Sequence, residues 1–309
     1  MDNSVLVTVF TATYNRANTL TNVYNSLCAQ TFRDFEWIIV DDGSTDGTDT
    51  LVSGFIKEDK INIRYFYQEN NGKHIAMNKA LDEAKGEYFV NLDSDDIMTT
   101  DALQTFVDAW NSIDSDKRDK YMSVKARCFD PDTNKMIGAE FEEDSYTTTI
   151  LDAKYKEKIN FEMWSMARTD LRRQYKNPDI RGGKNGGGLR FYPEGIWQDK
   201  ASRDYKVLFI NKAIRGYTRN TSTSLMGYGA KYDRYKENIH LWTHVVNDNF
   251  DYFFYDIKSF VKALIGVSMD SFFNKKKLSQ ILKLVNTWYK KLLVLVFAPI
   301  GFLCYIKKR

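Results

Sequence analysis

Two kinds of hydrophobic spacing alternate along the first hundred residues. Residues 5–10 (VLVTVF) are a short β-branched run, and residues 20–29 then carry Leu20, Val23, Tyr24 and Leu27 at helical spacing. A second buried-type strand, residues 35–40 (FEWIIV), leads through DDGSTDGT into a helix over 46–56. Residues 61–67 (INIRYFY) alternate as a third strand, 72–85 read as a helix, and 88–92 (YFVNL) as a fourth strand. This alternation with short loops predicts an α/β fold with a mostly parallel central sheet flanked by helices. In such sheets ligands bind at the carboxyl ends of the strands. After Thr100 the pattern loosens: 102–110 reads as a helix, 121–129 and 205–210 as strands. From about residue 225 the chain turns helical, aromatic and basic.

Charge changes this picture more than composition does. The net charge of +3 hides a split, because residues 258–309 hold eleven basic residues and one acid, Asp270. That stretch carries +10 and the remainder −7. Within it, residues 292–306 (LLVLVFAPIGFLCYI) have no charge. Those 15 residues fall short of a spanning helix, and Pro299 and Gly301 are expected to interrupt them, so a basic, membrane-surface helical extension is expected. The same lysines, read more plainly, are a solvated helix face. Oligomer contacts are possible there, and no nucleic-acid module accompanies the charge. Cys28, Cys128 and Cys304 are too far apart for a disulfide framework or a zinc spacing, and Met1 to Phe10 has no basic, long apolar leader. His240 and His244 stand one helical turn apart without a third metal ligand.

Four loops could carry chemistry. In Asn91-Leu92-Asp93-Ser94-Asp95-Asp96, three carboxylates crowd a strand end. They would repel one another, and hard oxygen ligands suit Mg2+ or Mn2+. The plainer reading is an acidic turn in which Asp96 caps the next helix. Asp41 and Asp42 end the second strand and can accept from a base or ribose, with Gly43 supplying a sharp turn and Ser44 or Asp46 capping the helix beyond. Tyr14 could stack on a base and Arg16 meet a phosphate. Asn70 to His74, with Lys73, precede a helix whose N-terminus suits an anion.

TYNR, VDDGSTDGT, NNGKHIAMNKAL and GEYFVNLDSDD, in that order, resemble the motifs of family 2 glycosyltransferases over about residues 5–110. The resemblance implies the GT-A fold, a UDP-sugar donor, a Mn2+ or Mg2+ ion and inversion at the anomeric carbon. It implies donor-side roles for Thr13, Tyr14, Arg16, Asp41, Asp42, Lys73, Asp93 and Ser94, and a metal site of Asp95 with Asp93. Residues 1–224 then form the glycosyltransferase domain, with a donor half at 1–110 and an acceptor half at 111–224, and 225–309 the basic extension.

An inverting transferase needs a base on the acceptor hydroxyl. Arg190 to Trp197 resembles a Pro-Glu-Gly segment of one subgroup, which implies Glu194 as base, with Asp199 as the second choice. Glu194 could instead cap the following helix. Trp197 could line the acceptor pocket, and the glycine run 182–188 could close as a lid. The acceptor would be a glycan or lipid-linked oligosaccharide, assembled into surface polysaccharide on the cytoplasmic face of a bacterial membrane. A non-catalytic nucleotide-sugar-binding scaffold and an aspartyl phosphatase are the competing classes; the latter would place its Asp-x-Asp on the first strand, and here it follows the fourth.

Overall fold

The computed structural model describes residues 5–182, 188–218 and 234–308. The chain runs β1 (Val7–Thr13), α1 (Ala17–Cys28), β2 (Phe35–Asp41), α2 (Thr48–Glu58), β3 (Asn62–Tyr67), α3 (Lys73–Glu83) and β4 (Tyr88–Asn91). It continues through β5 (Ile97–Met98), α4 (Ala102–Asn111), β6 (Tyr121–Asp130), β7 (Lys135–Met136), β8 (Ser145–Thr148), α5 (Ile150–Tyr155), β9 (Met163–Arg168) and α6 (Thr169–Gln174). Then come α7 (Gly195–Ala201), β10 (Lys206–Gly216), α8 (Arg234–Asp248), α9 (Ile257–Phe273), α10 (Leu278–Lys283) and α11 (Trp288–Lys308). Two compact units result. One comprises Met1–Ile150, Asn160–Arg190 and Ala201–Arg219; the other comprises Leu151–Ile159, Phe191–Lys200 and Asn220–Arg309.

The first unit is built on a sheet of order β3-β2-β1-β4-β9-β6-β10-β5. Strand β1 pairs in parallel with β2 and β4, and β2 with β3, as the alternating pattern predicts. Alternate side chains enter opposite layers: Val7, Val9, Trp37 and Ile39 pack with Leu20, Leu27 and Phe55, whereas Phe10, Ile38 and Val40 pack with Ala76, Met77 and Leu81. Helices cover both faces, which is why β1 and β2 read as nearly continuous apolar runs.

The expectation of a mostly parallel sheet is corrected beyond β4. Strand β9 inserts antiparallel between β4 and β6, and β10 pairs parallel to β6 but antiparallel to β5 and β8. The sheet is therefore mixed. Strand β9 (MWSMAR) lacks the β-branched signature of the earlier strands, and its place is set by pairing with distant partners. Strand β10 also runs beyond the expected 205–210 as far as Gly216, with register shifts near Ala213.

In the second unit, Leu151 and Tyr155 pack with Val245, Val246, Phe260, Leu264 and Val267. The expected interruption at Pro299 and Gly301 does not occur: α11 is one 21-residue helix with Pro299 inside it. By length and composition alone it is long and apolar enough to cross a membrane. Gly301 lies against Ser268 of α9, where a Cβ would collide with the serine Oγ and stand 3.0 Å from Ile265 O. Close packing on α9 sustains a helix whose proline removes one internal hydrogen bond.

Candidate active site

The order β3-β2-β1-β4 places β1 beside β4, with their outgoing loops neighbours at the carboxyl edge. Strands β2 and β3 lie to one side of β1, and later strands extend the sheet past β4. This is the kind of crevice in which open α/β sheets bind ligands.

The loops after β1 and β2 are knitted together. Asn15, in the left-handed region at φ 52°, donates its N–H to Ser44 Oγ at 2.8 Å and accepts from Thr45 N at 2.8 Å. Ala17 N donates to Asp46 Oδ2 at 3.0 Å, and Asp42 N to Thr13 O at 2.8 Å. Ser44 is thus a brace between loops; the residue preceding α2 is Gly47. Gly43 supplies the turn at φ +90°. Tyr14 is partly exposed beside this frame. The Thr13 side chain is buried, and its Oγ1 has no hydrogen-bond partner among the described residues. An orphaned hydroxyl at a strand end is a feature a ligand can satisfy.

Asp41 and Asp42 are both buried but differ in their partners. Asp41 accepts from Ser44 N at 2.8 Å on Oδ1 and from Tyr65 Oη at 2.7 Å on Oδ2. Burial and the adjoining Asp41 push the Tyr65 phenol well above its usual range, so it stays a donor. A carboxylate has about four acceptor sites, and these two bonds occupy half of them. Asp42 accepts from Gln68 Nε2 (2.7 Å), Asn71 N (2.8 Å) and Gly72 N (2.9 Å). Its side chain shapes the turn that delivers Lys73. Burial raises the Asp42 carboxyl above its ordinary value despite those donors. Gly72 has φ +95°, and a Cβ there would strike Leu189 O and Arg190 O, so only glycine fits. The next N–H, of Lys73, donates to Arg190 O at 2.7 Å.

Among the described residues, the acidic loop after β4 meets Lys73, Arg16 and Arg215. Lys73 Nζ lies 2.8 Å from Asp93 Oδ1, Arg16 Nη1 3.5 Å from Asp95 Oδ2, and Arg215 Nη2 3.3 Å from Asp93 Oδ2. Arg215 Nε also donates to Asp96 Oδ2 at 2.7 Å, and its Nη1 lies 3.3 Å from Glu162 Oε1. Thr218 closes the loop, donating from N to Asp96 Oδ1 (3.1 Å) and from Oγ1 to Asp95 O (3.0 Å). Burial would raise the Asp93 carboxyl, but Lys73 and Arg215 outweigh it and hold the group well below the carboxylate range. For Asp96 burial wins and pushes the carboxyl up to about 6. Asp96 therefore caps no helix: it is buried and is followed by β5. Ser94 is buried in the same loop.

Mutual repulsion among these acids is thus relieved by side chains of the chain itself, in addition to any metal. Among the described residues, no group of three or more His, Cys, Asp or Glu side chains is arranged to hold a metal. The donor set still fits Mg2+ or Mn2+, which commonly takes one or two carboxylates and completes its shell with phosphate oxygens and water. Asp95 and Asp93 are the carboxylates of this loop that would take that role.

Arg215, Thr218 and Tyr65 carry no local signal of involvement. Arg215 ends a strand some 120 residues after the acids it binds, and only the pairing of β10 with β5 brings it there.

In the second unit, Glu194 immediately precedes α7 and is partly exposed. Asp199, one helical turn on, is 1% exposed. Its Oδ2 accepts from Asn249 Nδ2 (2.7 Å) and Lys154 Nζ (3.0 Å), with His244 Nε2 at 3.3 Å. His244 Nδ1 in turn lies 2.7 Å from Asp248 Oδ2. The two expected helical histidines thus part ways: His244 joins this hydrogen-bond hub, and His240 lies against the Tyr192 ring. Trp197 is buried within this unit. The proposed glycine lid falls largely on 183–187, outside the described residues.

The profile of the family described as Glycosyl transferase family 2 matches residues 8–176. A putative teichuronic acid biosynthesis glycosyltransferase of Bacillus subtilis, TuaG, is 40% identical over 100 residues, 32% of this chain and 39% of that protein. Glycosyltransferase GlyG of Streptococcus pneumoniae is 34% identical over 114 residues, 37% of this chain and 38% of that protein. The matched segment spans less than half the length of either relative. Among solved structures, S. aureus TarS residues 1–349 in complex with UDP-GlcNAc aligns over 96% of this chain and 89% of its own, with TM-score 0.66 and 19% identity. The Pyrobaculum calidifontis mannosyltransferase PcManGT, in complex with GDP-Man and Mn2+, aligns over 97% and 81%, with TM-score 0.56 and 17% identity. At such identities the likeness is one of fold, and the fold is GT-A-like.

Proposed function

This chain belongs to glycosyltransferase family 2, and from that premise we propose that it transfers a sugar from a UDP-sugar to a hydroxyl of a glycan or lipid-linked acceptor, inverting the anomeric carbon. The observation that carries the reading is the acidic loop at the β1/β4 crevice, faced by Arg16 from just before α1 and Lys73 from the start of α3.

In this mechanism Thr13, Asp41 and Tyr14 hold the nucleoside: a hydroxyl and a carboxylate bond its polar edge and the ring stacks on its face. Tyr65 fixes the Asp41 carboxylate, so little reorganisation is needed on binding. Asp42 holds the turn that presents Lys73. Lys73 and Arg16 pass from Asp93 and Asp95 to the oxygens of the diphosphate, where negative charge grows as the leaving bond breaks. Asp93, with Ser94 beside it, faces the ribose. A divalent ion held by Asp95 and Asp93 would add Lewis-acid neutralisation of that diphosphate. Glu194 takes the proton of the acceptor hydroxyl, whose oxygen attacks the anomeric carbon from the face opposite the departing UDP. Glu194 is favoured over Asp199 because the Asp199 carboxylate is buried and accepts from Asn249 and Lys154, with the His244 ring beside it.

The Bacillus subtilis relative is named for teichuronic acid biosynthesis, and α11 is apolar and flanked by lysines. The first supports surface-polysaccharide assembly and the second a membrane setting; the cytoplasmic face belongs to the same proposal. A nucleotide-sugar panel scored by thermal shift with manganese tests the donor class, since binding stabilises the fold by mass action. UDP-sugars should raise the melting temperature; a response confined to GDP-sugars would reassign the donor.

A further inference from the structure

Helix α11 has two apolar faces, and only one is packed against the rest of the protein among the described residues. Lys290, Val294, Ala298 and Gly301 are buried. On the opposite side Trp288, Leu292, Val296, Ile300, Leu303 and Ile306 are exposed, Trp288 by 77% and Leu303 by 65%. These positions recur at helical spacing, and no charge interrupts the exposed face between Leu292 and Ile306. A contiguous apolar face of this length marks a binding surface.

The inner face ties the helix down along its length. Lys290 Nζ donates to Asn247 O at 2.8 Å, and the Tyr289 ring lies 6.0 Å from Phe250. Gly301 abuts Ser268, and the Tyr305 ring lies 4.8 Å from Phe273. Helix α11 therefore runs beside α9 in the same direction. To cross a bilayer it would have to leave that seat or take α9 with it. Helix α9 carries exposed Lys258 and Lys262 and a buried Asp270, which are costly in hydrocarbon.

The charge around this face is one-sided. From Lys258 onward the lone acid, Asp270, is fully buried. Lys258, Lys262, Lys275, Lys277, Lys283, Lys307 and Lys308 are exposed. The surface offered by this stretch is thus apolar and cationic, with Trp288 and Tyr289 at the start of the helix, a composition suited to a headgroup interface.

We propose that α11 lies in the plane of an anionic membrane, still docked on α9, with its Trp288–Leu303 face sunk into the headgroup boundary, and that it does not cross. This deepens the membrane side of the proposed function and rests on that part of it alone. The test is flotation of the full chain with preformed vesicles of phosphatidylcholine, with or without phosphatidylglycerol. UDP-dependent thermal shift is measured in parallel, so that loss of donor binding is read separately from loss of lipid binding. Wild-type protein should float with phosphatidylglycerol vesicles and be released by high salt or alkaline carbonate. A Leu292→Glu/Val296→Glu/Leu303→Glu variant, altered only at exposed positions, should keep its melting temperature and bind at least roughly tenfold less. Binding to phosphatidylglycerol vesicles should shift tryptophan emission to the blue, and Trp288→Phe should remove the shift. Undiminished flotation of the triple variant would overturn the proposal. So would a lipid-free dimer that the triple variant abolishes, which would make a second copy the occupant. Carbonate-resistant retention, with a Lys308→Cys thiol shielded from an impermeant maleimide inside sealed vesicles, would establish crossing instead.

Discussion

Arg215 Nε donates to Asp96 Oδ2 at 2.7 Å, and both side chains are buried. The bond ties the end of β10 to the acidic loop after β4. The same guanidinium reaches Asp93, so the last strand of the sheet sets where the first acid of Asp-x-Asp stands. Removing one partner of a buried pair leaves an uncompensated charge, at a cost of about 3–5 kcal/mol. Arg215→Met should therefore lower the melting temperature by several degrees and weaken manganese-dependent UDP binding. Adding Asp96→Asn should recover part of the stability. A double-mutant cycle on urea midpoints checks this, and strictly additive effects would deny the coupling.

Asp95 Oδ2 stands 3.5 Å from Arg16 Nη1. Asp95→Asn should leave the fold intact and abolish the metal-dependent part of UDP binding. Calorimetry with and without manganese measures it. An isotherm identical to wild type would remove Asp95 from the metal site.

Glu194 and Asp199 should separate by phenotype. Glu194→Gln should retain donor binding and lose turnover by roughly 10²-fold or more, the scale of a lost general base. Asp199→Asn removes the buried charge facing Lys154 and His244, and should lower the melting temperature. A kcat collapse in Asp199→Asn at unchanged stability would exchange their roles.

Asp270 gives the second unit a pH dependence. Burial pushes its carboxyl up to about 7; Trp242 Nε1 bonds one oxygen at 2.7 Å, and the other has no partner among the described residues. In the unfolded chain it titrates near 4. Between those values the folded state binds more protons, so this contribution to stability is fully present below about pH 4 and is lost as pH rises through about 7. The loss is at most about 4 kcal/mol. Asp270→Asn should flatten the melting profile over that range and raise the melting temperature at pH 8. A mutant profile parallel to wild type would contradict it.

Local spacing alone determined the first four strands, their helices and the loops between them. The reason is that β1 and β2 are buried along nearly their whole length and α1 and α2 each bury one face, so hydrophobic period and burial agree there. The motifs fell on strand ends because glycines such as Gly43 and Gly72 are demanded by backbone geometry that the sequence displays directly. What lay beyond local pattern was pairing over long separations. The antiparallel insertion of β9, the extension of β10 to Arg215 and the bond from Tyr65 to Asp41 depend on where distant segments dock, and no spacing records that. Likewise a proline and a glycine read as breaks in 292–306, yet the packing of Gly301 on Ser268 carries α11 through unbroken. The sequence specified which carboxylates stand at the crevice; the tertiary structure decided which cations neutralise them, because opposite charges far apart in the chain meet only when the sheet is assembled.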